Sequence, residues 1–429
     1  MVSLRTPKGT VDLNPQQSLT LEEIVRKVKS IFESHNGVPI NTPTFELREI
    51  LMNKYGEDAK LIYNLEDQGG DICSLRYDLT VPFSRYLCMN RIQKIRRYQI
   101  ANVFRRDNPS FKTGRLREFI QADFDICGSA LPMVNDAEIL RMIYDILIAF
   151  SLPYAFTIKI NDKRILTGLL KVCKVPEDLQ QTACSTIDKV GKLTTEEINN
   201  ELITKGLSER SVSGINRLIL NNENKTDLET ILNLKEIIKT SKLADTMSSS
   251  LSLKNSSDES ILDLTEFEKG VDDVEMLLKY LDIYKVKNIK LDLSLARGLD
   301  YYTGLIVEAV YEGVDVGSVV GGGRYDNLCA SLSSNTLNVP CVGFSVGVMR
   351  IFALYPPITP EWDVFVGSGY GLNLEDRMDI LNRIWALGLR AETFTSKRVN
   401  YMEQVEYAKK NNFSVGVFTG DNEISKGSV

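Results

Sequence analysis

The segment Ile95 to Gly128, IRRYQIANVFRRDNPSFKTGRLREFIQADFDICG, constrains the fold more than any other part of the chain. Two apolar runs flank a short loop that carries Arg105, Arg106, Lys112, Gly114, Arg115 and Arg117. FIQADFDI (119–126) alternates polar and apolar residues, as a half-buried strand does. Strand, loop and strand in such close succession leave no room for a crossover helix. The other short apolar segments, LIYNL (61–65) and IANVF (100–104), are likewise joined by irregular loops. The pattern predicts an α+β fold built on a mixed, largely antiparallel sheet rather than a doubly wound parallel one.

Amphipathic helices are predicted around this sheet. Leu21, Ile24, Val25, Val28, Ile31 and Phe32 recur at helical spacing up to the turn signal Asn36-Gly37, and Ala137 to Phe150 shows a second such stripe. From about 162 to 285 the pattern is mainly helical and polar, broken by the serine-rich SSSLSLKNSSDES (248–260), which reads as a flexible loop. Strand patterns resume in IKLDLSLA (289–296), LIVEAVY (305–311) and CVGFSVGVMRIFAL (341–354). Pro356, Pro357 and Pro360 mark a boundary, beyond which the order is strand, helix, strand, helix, strand. At 429 residues, two or three domains are expected. The divisions are 1–161 and 286–355 for the two parts of a sheet domain, 162–285 for a helical insertion, and 361–429 for a small α/β domain.

Composition excludes several function classes. The charged fraction of 25% and hydrophobic fraction of 43% belong to a folded globular chain rather than a disordered one. Charge interrupts the apolar stretches too often for a membrane span, and MVSLRTPKGTVDL has no signal core, so a cytoplasmic location is expected. Seven scattered cysteines without a CxxC pair signal neither a zinc site nor a disulfide framework, and no protein metal site is expected. The single histidine, His35, precedes a turn signal and reads as a surface residue at a helix end. Chemistry that needs a histidine base or triad is thereby disfavoured, leaving carboxylates, arginines and backbone groups. A net charge of −6 gives no global attraction for nucleic acid, so any RNA contact must be local. Arg91 to Arg117 holds nine basic residues against one acid, Asp107; on charge alone such a run reads as a solvated face.

Four clusters carry candidate chemistry. In the first, Arg105 and its neighbours can grip phosphates, Phe119 can stack on a base, and Gln121, Asp123 and Asp125 share one strand face. That face reads equally as a solvent face. The second is SLRYDLTVPFSRYL (74–87), in which Asp78 and Thr80 share a face if the chain is extended and can hold an ammonium group; a strand end or a helix cap is the other reading. The third, LSLARGLDYYTGLIVEAVYEG (293–313), places Arg297 before Gly298 and Tyr301 and Tyr302 before Gly304. The fourth is VGGGRYDNL followed by VGFSVGVMR, ending on Arg350; its glycines match neither the P-loop nor the dinucleotide fingerprint.

Taken in order, these clusters resemble the class II aminoacyl-tRNA synthetases, and within them the histidyl family of eukaryotic type. FRRDNP…GRLREFIQADFDI looks like motif 2, GGGRYDNL…VGFSVGVMRI like motif 3, and NTPTFE, with Pro43, like motif 1. ARGLDYYTG (296–304) looks like the histidine-specific signature. The resemblance implies a histidine–tRNA ligase that uses ATP with Mg²⁺, histidine and tRNA(His), works as a homodimer and binds no membrane. It implies that Arg105 and Arg297 are catalytic at the α-phosphate, and that Arg115, Phe119 and Arg350 complete the ATP site. It implies that Asp78, Leu79 and Thr80 hold the α-amino end of histidine, Gln121 its carboxylate region, and Asp125 with Tyr301 and Tyr302 its imidazole. The 361–429 region is then similar to the family's anticodon-binding domain.

Two departures from the family pattern stand out. Met349 occupies the place of a glutamate before the motif 3 arginine, and the C-terminal domain is shorter than a complete one. The shortening leads to the expectation that tRNA charging suffers more than adenylate formation. The family's opening helical extension is absent, because TPKGTVDL already resembles the catalytic domain. The competing reading is a catalytically inactive synthetase-like regulator that senses histidine or uncharged tRNA. Such relatives typically lack the phosphate-binding arginines, which this chain keeps at 105, 297 and 350.

Overall fold

The structure is a computed structural model that describes residues 4–420, apart from residues 53, 68, 223–224, 252–262, 297–300, 370–373 and 396–399. Contacts divide the chain into two compact units, Met1–Asp12 with Glu23–Tyr355, and Leu13–Glu22 with Pro356–Val429.

Helix α1 (Pro15–Ser34) belongs to the first unit from Glu23 onward and is followed there by strands β1 (Val38–Pro39) and β2 (Phe45–Leu47). The short helix α2 (Arg48–Met52), strand β3 (Cys73–Leu75) and helix α3 (Thr80–Asn90) lead into the central hairpin, β4 (Ile95–Phe104) and β5 (Glu118–Cys127). Helix α4 (Val134–Ala149) and strand β6 (Phe156–Asp162) precede a helical stretch: α5 (Lys163–Val172), α6 (Glu177–Ile187), α7 (Thr195–Thr204), α8 (Glu209–Leu218), α9 (Asp227–Leu251) and α10 (Thr265–Ile283). The chain then returns to the sheet with β7 (Ile289–Leu291), β8 (Leu305–Tyr311), β9 (Ser318–Arg324) and β10 (Cys341–Gly347), interrupted by α11 (Leu328–Leu332) and followed by α12 (Val348–Phe352).

The eight-stranded sheet runs β1-β4-β5-β10-β9-β8-β6-β7. Its interior pairs are antiparallel and only the edge pairs β1–β4 and β6–β7 are parallel, as the short loops predict. LIYNL forms no strand: Leu61 closes a 3-10 turn and Asn64 makes an isolated bridge with Ser74. IKLDLSLA contributes only Ile289–Leu291 to the sheet. The serine-rich 248–260 lies mostly outside the described residues; its first part continues the backbone of α9.

The expectation of a half-buried β5 needs correction, because every residue from Gln121 to Cys127 is buried. The period-2 alternation sends Ala122, Phe124 and Ile126 to one face and Gln121, Asp123 and Asp125 to the other. On the apolar face Phe124 packs against Phe32 of α1, with ring centroids 5.3 Å apart, and Phe32 also meets Tyr98 and Phe344. Ile24, Val28 and Phe32 of α1 are fully buried; burying side chains of this size stabilises a fold by about 1.5–3 kcal/mol each. The polar face of β5 is covered by protein as well, so it is no solvent face.

The second unit contains β11 (Trp362–Ser368), α13 (Leu374–Ala386), β12 (Ala391–Thr393), α14 (Tyr401–Lys410) and β13 (Phe413–Thr419). The strand order is β12-β11-β13, all parallel, as expected when each connection contains a helix. Its core centres on Phe365, fully buried among Phe394, Tyr407, Phe413 and Phe418.

Candidate active site

The polar face of β5 floors a cleft of about 820 Å³ in the first unit. Its two ends differ in charge. Along β5, Asp123 and Asp125 lie toward the Cys127 end and Arg105, Arg115 and Arg350 toward the Glu118 end, with Asp78 between them, close enough to Arg105 to feel its charge.

Asp125 is 2% exposed and is gripped from two sides. Arg97 on β4 is its cross-strand partner and brings Nη2 to 2.7 Å from Oδ2; the Tyr325 hydroxyl donates to Oδ1. Burial raises the Asp125 pKa, with the guanidinium and the hydroxyl opposing that rise. Close approach by β10 completes the fit, since a Cβ at Gly343 would fall 2.0 Å from Asp125 Oδ1.

Arg97 overturns the view of the basic run as a solvated face. It is fully buried, lies over the Phe83 ring at 4.3 Å, and donates from Nη2 to the Leu79 carbonyl at 3.0 Å. Burial would lower its pKa, yet the Asp125 and Asp123 carboxylates outweigh that effect and raise it. Its neighbour Arg96 is also engaged, with Glu138, which in turn lies 3.0 Å from His35 Nδ1. His35 is therefore half-buried and partnered rather than a free surface residue.

Asp78 and Thr80 do not share an extended face, because Thr80 is the first residue of α3. Asp78 Oδ1 accepts from the Thr80 and Val81 amides at 3.1 and 3.2 Å and from the Tyr55 hydroxyl at 2.8 Å. It both caps α3 and lines the cleft, so the two readings of this pair merge. Burial raises its pKa against these donors. Leu79 behaves differently: its side chain is fully buried in the core, and only its carbonyl enters the network, through Arg97.

Tyr301 and Tyr302 line the acid end, with ring centroids 4.9 Å apart in a T-shaped contact; burial raises both phenol pKa values, which keeps the hydroxyls neutral. Gln121 lies between the ends, and its Oε1 is buried without a hydrogen-bond partner.

At the basic end, Arg105 stacks over Tyr77 at 4.1 Å and near Phe119 at 5.3 Å, with Nε donating to the Tyr77 carbonyl at 3.0 Å. Phe119 lines the cleft, and Arg115 reaches it from the loop, paired with Asp107 through Nε at 2.8 Å. Arg350, on α12, donates from Nη1 to the Ser318 carbonyl. The loop and α12 meet backbone to backbone at Gly114 (φ +66°), where a Cβ would lie 2.2 Å from the Met349 carbonyl oxygen. Arg297 lies outside the described residues.

Sequence reasoning missed Arg97, Tyr325 and Tyr55, all of which act on site carboxylates, and it missed α6. Gln181, Thr182 and Ser185 of that helix, with Asp188 just beyond it, line the cleft from the helical stretch. Only hairpin register could have pointed to Arg97; Tyr325 meets Asp125 across 200 positions of sequence.

The family model described as histidyl-tRNA synthetase matches residues 9–351. A probable cytoplasmic histidine–tRNA ligase of Encephalitozoon cuniculi (strain GB-M1) is 44% identical over 436 residues, covering 100% of this chain and 94% of the relative. The cytoplasmic histidine–tRNA ligase of Takifugu rubripes is 39% identical over 457 residues, covering 99% and 83%. In fold, the crystal structure of the Nostoc sp. PCC 7120 histidyl-tRNA synthetase is similar with a TM-score of 0.80 at 24% identity, covering 99% of this chain and 94% of that one. A Bacillus halodurans C protein described as an ATP phosphoribosyltransferase regulatory subunit/histidyl-tRNA synthetase is similar with a TM-score of 0.71 at 18% identity, covering 98% and 99%. The fold is thus shared across both descriptions, and it is the full-length sequence likeness to ligases that separates them. On the family match and that likeness, the chain belongs to the histidyl-tRNA synthetase family.

Proposed function

We infer that the two ends of the cleft divide the work of one reaction, with histidine at the acid end and ATP at the basic end. The chain is a class II histidine–tRNA ligase: it joins histidine to ATP as histidyl-adenylate and passes the histidyl group to the 3′ end of tRNA. The observation that carries the division is the convergence on one cleft of a buried acid cluster and an arginine-rich rim.

Asp78 and Thr80, with the unpartnered Gln121 Oε1, suit the α-ammonium group of histidine. This moves Gln121 from the carboxylate to the ammonium, because an unmet acceptor calls for a donor. Asp125 accepts the ring N–H, and Tyr301 and Tyr302 wall the ring. Phe119 stacks on adenine. Arg105 and Arg297 act at the α-phosphate, and Arg350 at the far end of the triphosphate with Arg115 beside it. The histidine carboxylate, already ionised, attacks the α-phosphorus as the bond to the bridging oxygen breaks and pyrophosphate leaves, so the first step needs no enzyme base. Negative charge grows at the pentavalent centre, where fixed guanidinium groups stabilise the transition state more than the ground state. Mg²⁺ enters as MgATP, held mainly by phosphate oxygens and water, as that ion prefers.

For tRNA, the exposed members of the basic run, Arg91, Lys94, Arg106, Lys112 and Arg115, are offered to the acceptor end, whereas Arg97 is committed inside. The second unit is assigned the anticodon. Affinity should then fall with salt by a log–log slope of roughly 0.7 to 0.9 per phosphate neutralised. A cytoplasmic homodimer is proposed, with the motif 1 region at its interface; there Arg76 Nη1 donates to the Thr42 carbonyl at 2.9 Å. Light scattering that finds a stable monomer at micromolar concentration would remove the dimer.

The deciding experiment is histidine-dependent ATP–pyrophosphate exchange on the purified chain. Exchange that requires histidine supports the assignment; binding of histidine and ATP without exchange supports the regulatory alternative.

A further inference from the structure

Residues 323–326, where β9 ends and the chain turns toward α11, meet the acid end of the cleft and the segment that supplies its tyrosines at every step. A Cβ at Gly323 would fall 3.1 Å from two atoms of the Tyr302 ring and 2.3 Å from the Leu305 carbonyl oxygen, so that ring is seated on bare backbone. Tyr325 donates to Asp125 and meets the Tyr301 ring edge-on, with centroids 6.2 Å apart. Asp326 holds Thr303, the residue after Tyr302. The Thr303 hydroxyl accepts from the Asp326 amide at 3.0 Å and donates to Asp326 Oδ2 at 3.1 Å. The Thr303 amide donates to the Arg324 carbonyl at 2.7 Å.

This strand end needs support from outside the sheet. β8 pairs with β9 no further than Gly323, so Arg324 keeps only β10 as a neighbour. Its side chain supplies what the ladder no longer does. Arg324 Nε donates to Asp136 Oδ1 at 2.9 Å and Nη2 to Asp136 Oδ2, while Nη1 donates to Asp326 Oδ1 at 3.0 Å. Asp136 lies in the first turn of α4, 188 positions away in sequence, and is fully buried. The two carboxylates raise the Arg324 pKa against the effect of burial and keep the guanidinium charged. The facing segment has no slack either, since a Cβ at Gly304 would lie 3.2 Å from Arg324 Cδ and 3.5 Å from Asp162 Oδ2. A buried ion pair is poor evidence for stability, because well-packed apolar side chains of similar volume often do as well. What apolar side chains cannot do is fix a direction. A guanidinium fork on a carboxylate sets both position and angle.

We propose that Arg324, with Asp136 and Asp326, is a positioning residue for the amino-acid substrate: it fastens the end of β9 to α4 and so assembles Tyr301, Tyr302 and Asp125 into a ring pocket before histidine arrives. This rests on the reading that the acid end takes the imidazole ring. None of the three is among the described residues that line the cleft, so their effect travels through the tyrosines and Asp125. Without the fork, the pocket is assembled for only part of the time, and the apparent affinity falls by that fraction. A pocket formed one-tenth of the time binds about tenfold more weakly. The ATP site, built on other elements, should be spared.

The test is histidine-dependent ATP–pyrophosphate exchange on the full chain, with histidine and ATP varied in turn, beside thermal melts. Arg324→Lys keeps the charge and loses the fork. It should raise the histidine KM by about tenfold and leave kcat and the ATP KM within about threefold. Asp136→Asn should act in the same way, and the double variant should be no worse than the more affected single one, because the pair works as a unit. Arg324→Met combined with Asp136→Leu separates positioning from stability. Its melting temperature should match or exceed that of the single variants, while the histidine KM stays high. A histidine KM that recovers along with the melting temperature would make the pair merely structural and overturn the proposal. So would a wild-type histidine KM in Arg324→Lys, or equal rises for histidine and ATP. If the Arg324 and Asp136 variants do not fold, Thr303→Val decides. It removes only the hydroxyl that Asp326 holds, and should raise the histidine KM by about threefold; an unchanged value overturns the proposal. Asp125→Ala tests the reading beneath. If that variant keeps the wild-type histidine KM, the acid end is not the histidine site. If it loses histidine while Arg324→Lys keeps the wild-type KM, only the positioning role fails.

Discussion

The two ends of the cleft solve opposite problems. At the acid end Arg97, Asp123 and Asp125 are each 2% exposed or less, and the two carboxyls share the one guanidinium. At the basic end Arg105 and Arg350 are half-buried and Arg115 keeps 52% of its side chain exposed, each tethered to a carbonyl or a carboxylate at the rim. On the proposed assignment, a small zwitterion with one distinguishing ring is read by groups already stripped of water, where a mismatch is expensive. A polyphosphate carries its own large charge and needs cations that remain able to turn toward it. The same assignment gives selectivity to the first arrangement and rate to the second.

The sharpest way to break this contrast is at the acid end. Asp125→Ala should lower histidine-dependent exchange by about three decades or more, the scale on which a site loses a required hydrogen-bonding group, while ATP binding stays near normal. Near-normal exchange in that variant would mean that the ring is read elsewhere. For the phosphate chemistry, Arg297→Ala should slow adenylate formation by about two decades in single-turnover assays, with histidine and ATP affinities changed much less. Lysine at 297 should rescue only part of the rate, because a point charge does not reproduce the guanidinium fork. A fall in melting temperature with the turnover of the folded fraction intact would instead give Arg297 a purely structural task.

A smaller effect should appear in stability against pH. The folded pKa of Asp123, about 7, lies above its unfolded value of about 3.9, so the folded state holds this proton more tightly. The stability it contributes is full below about pH 4 and is lost as pH rises through about 7. Asp123→Asn should therefore gain in melting temperature relative to the wild type between pH 5 and pH 8, in the absence of ligand, by several degrees. A difference that stays constant across that range would place the Asp123 proton elsewhere. Smallest of all, Arg115→Ala should leave stability within about 1 kcal/mol, since its pair with Asp107 is exposed, and should act only through ATP and tRNA affinity. A larger loss in chemical denaturation would show that the rim is a packed element.

The sheet was legible because alternation in β5 and short loops are local signals. The acid row was legible for the same reason, but its surroundings were not. Arg97 faces Asp125 only because β4 and β5 pair in one register, and a loop of this length leaves the register open. Shifting it by one residue would turn Arg97 to the other face, so a run of arginines gave no hint of which one is buried. Tyr325 and α6 reach the cleft through tertiary packing that no local pattern encodes. Asp78 was read as either cap or ligand because both uses need the same short acid before a helix; the fold shows the cap and places the same residue in the lining of the cleft.

The contact between Gly114 and the Met349 carbonyl has a bearing on how such a chain can drift. What meets Gly114 is main chain at 349 and 350, so this approach of the loop to α12 does not depend on which side chain position 349 carries. Position 114 has no such latitude, since any side chain there both strains a left-handed backbone and drives the loop off the helix. The residue with no chemistry of its own is the one whose replacement this joint tolerates least.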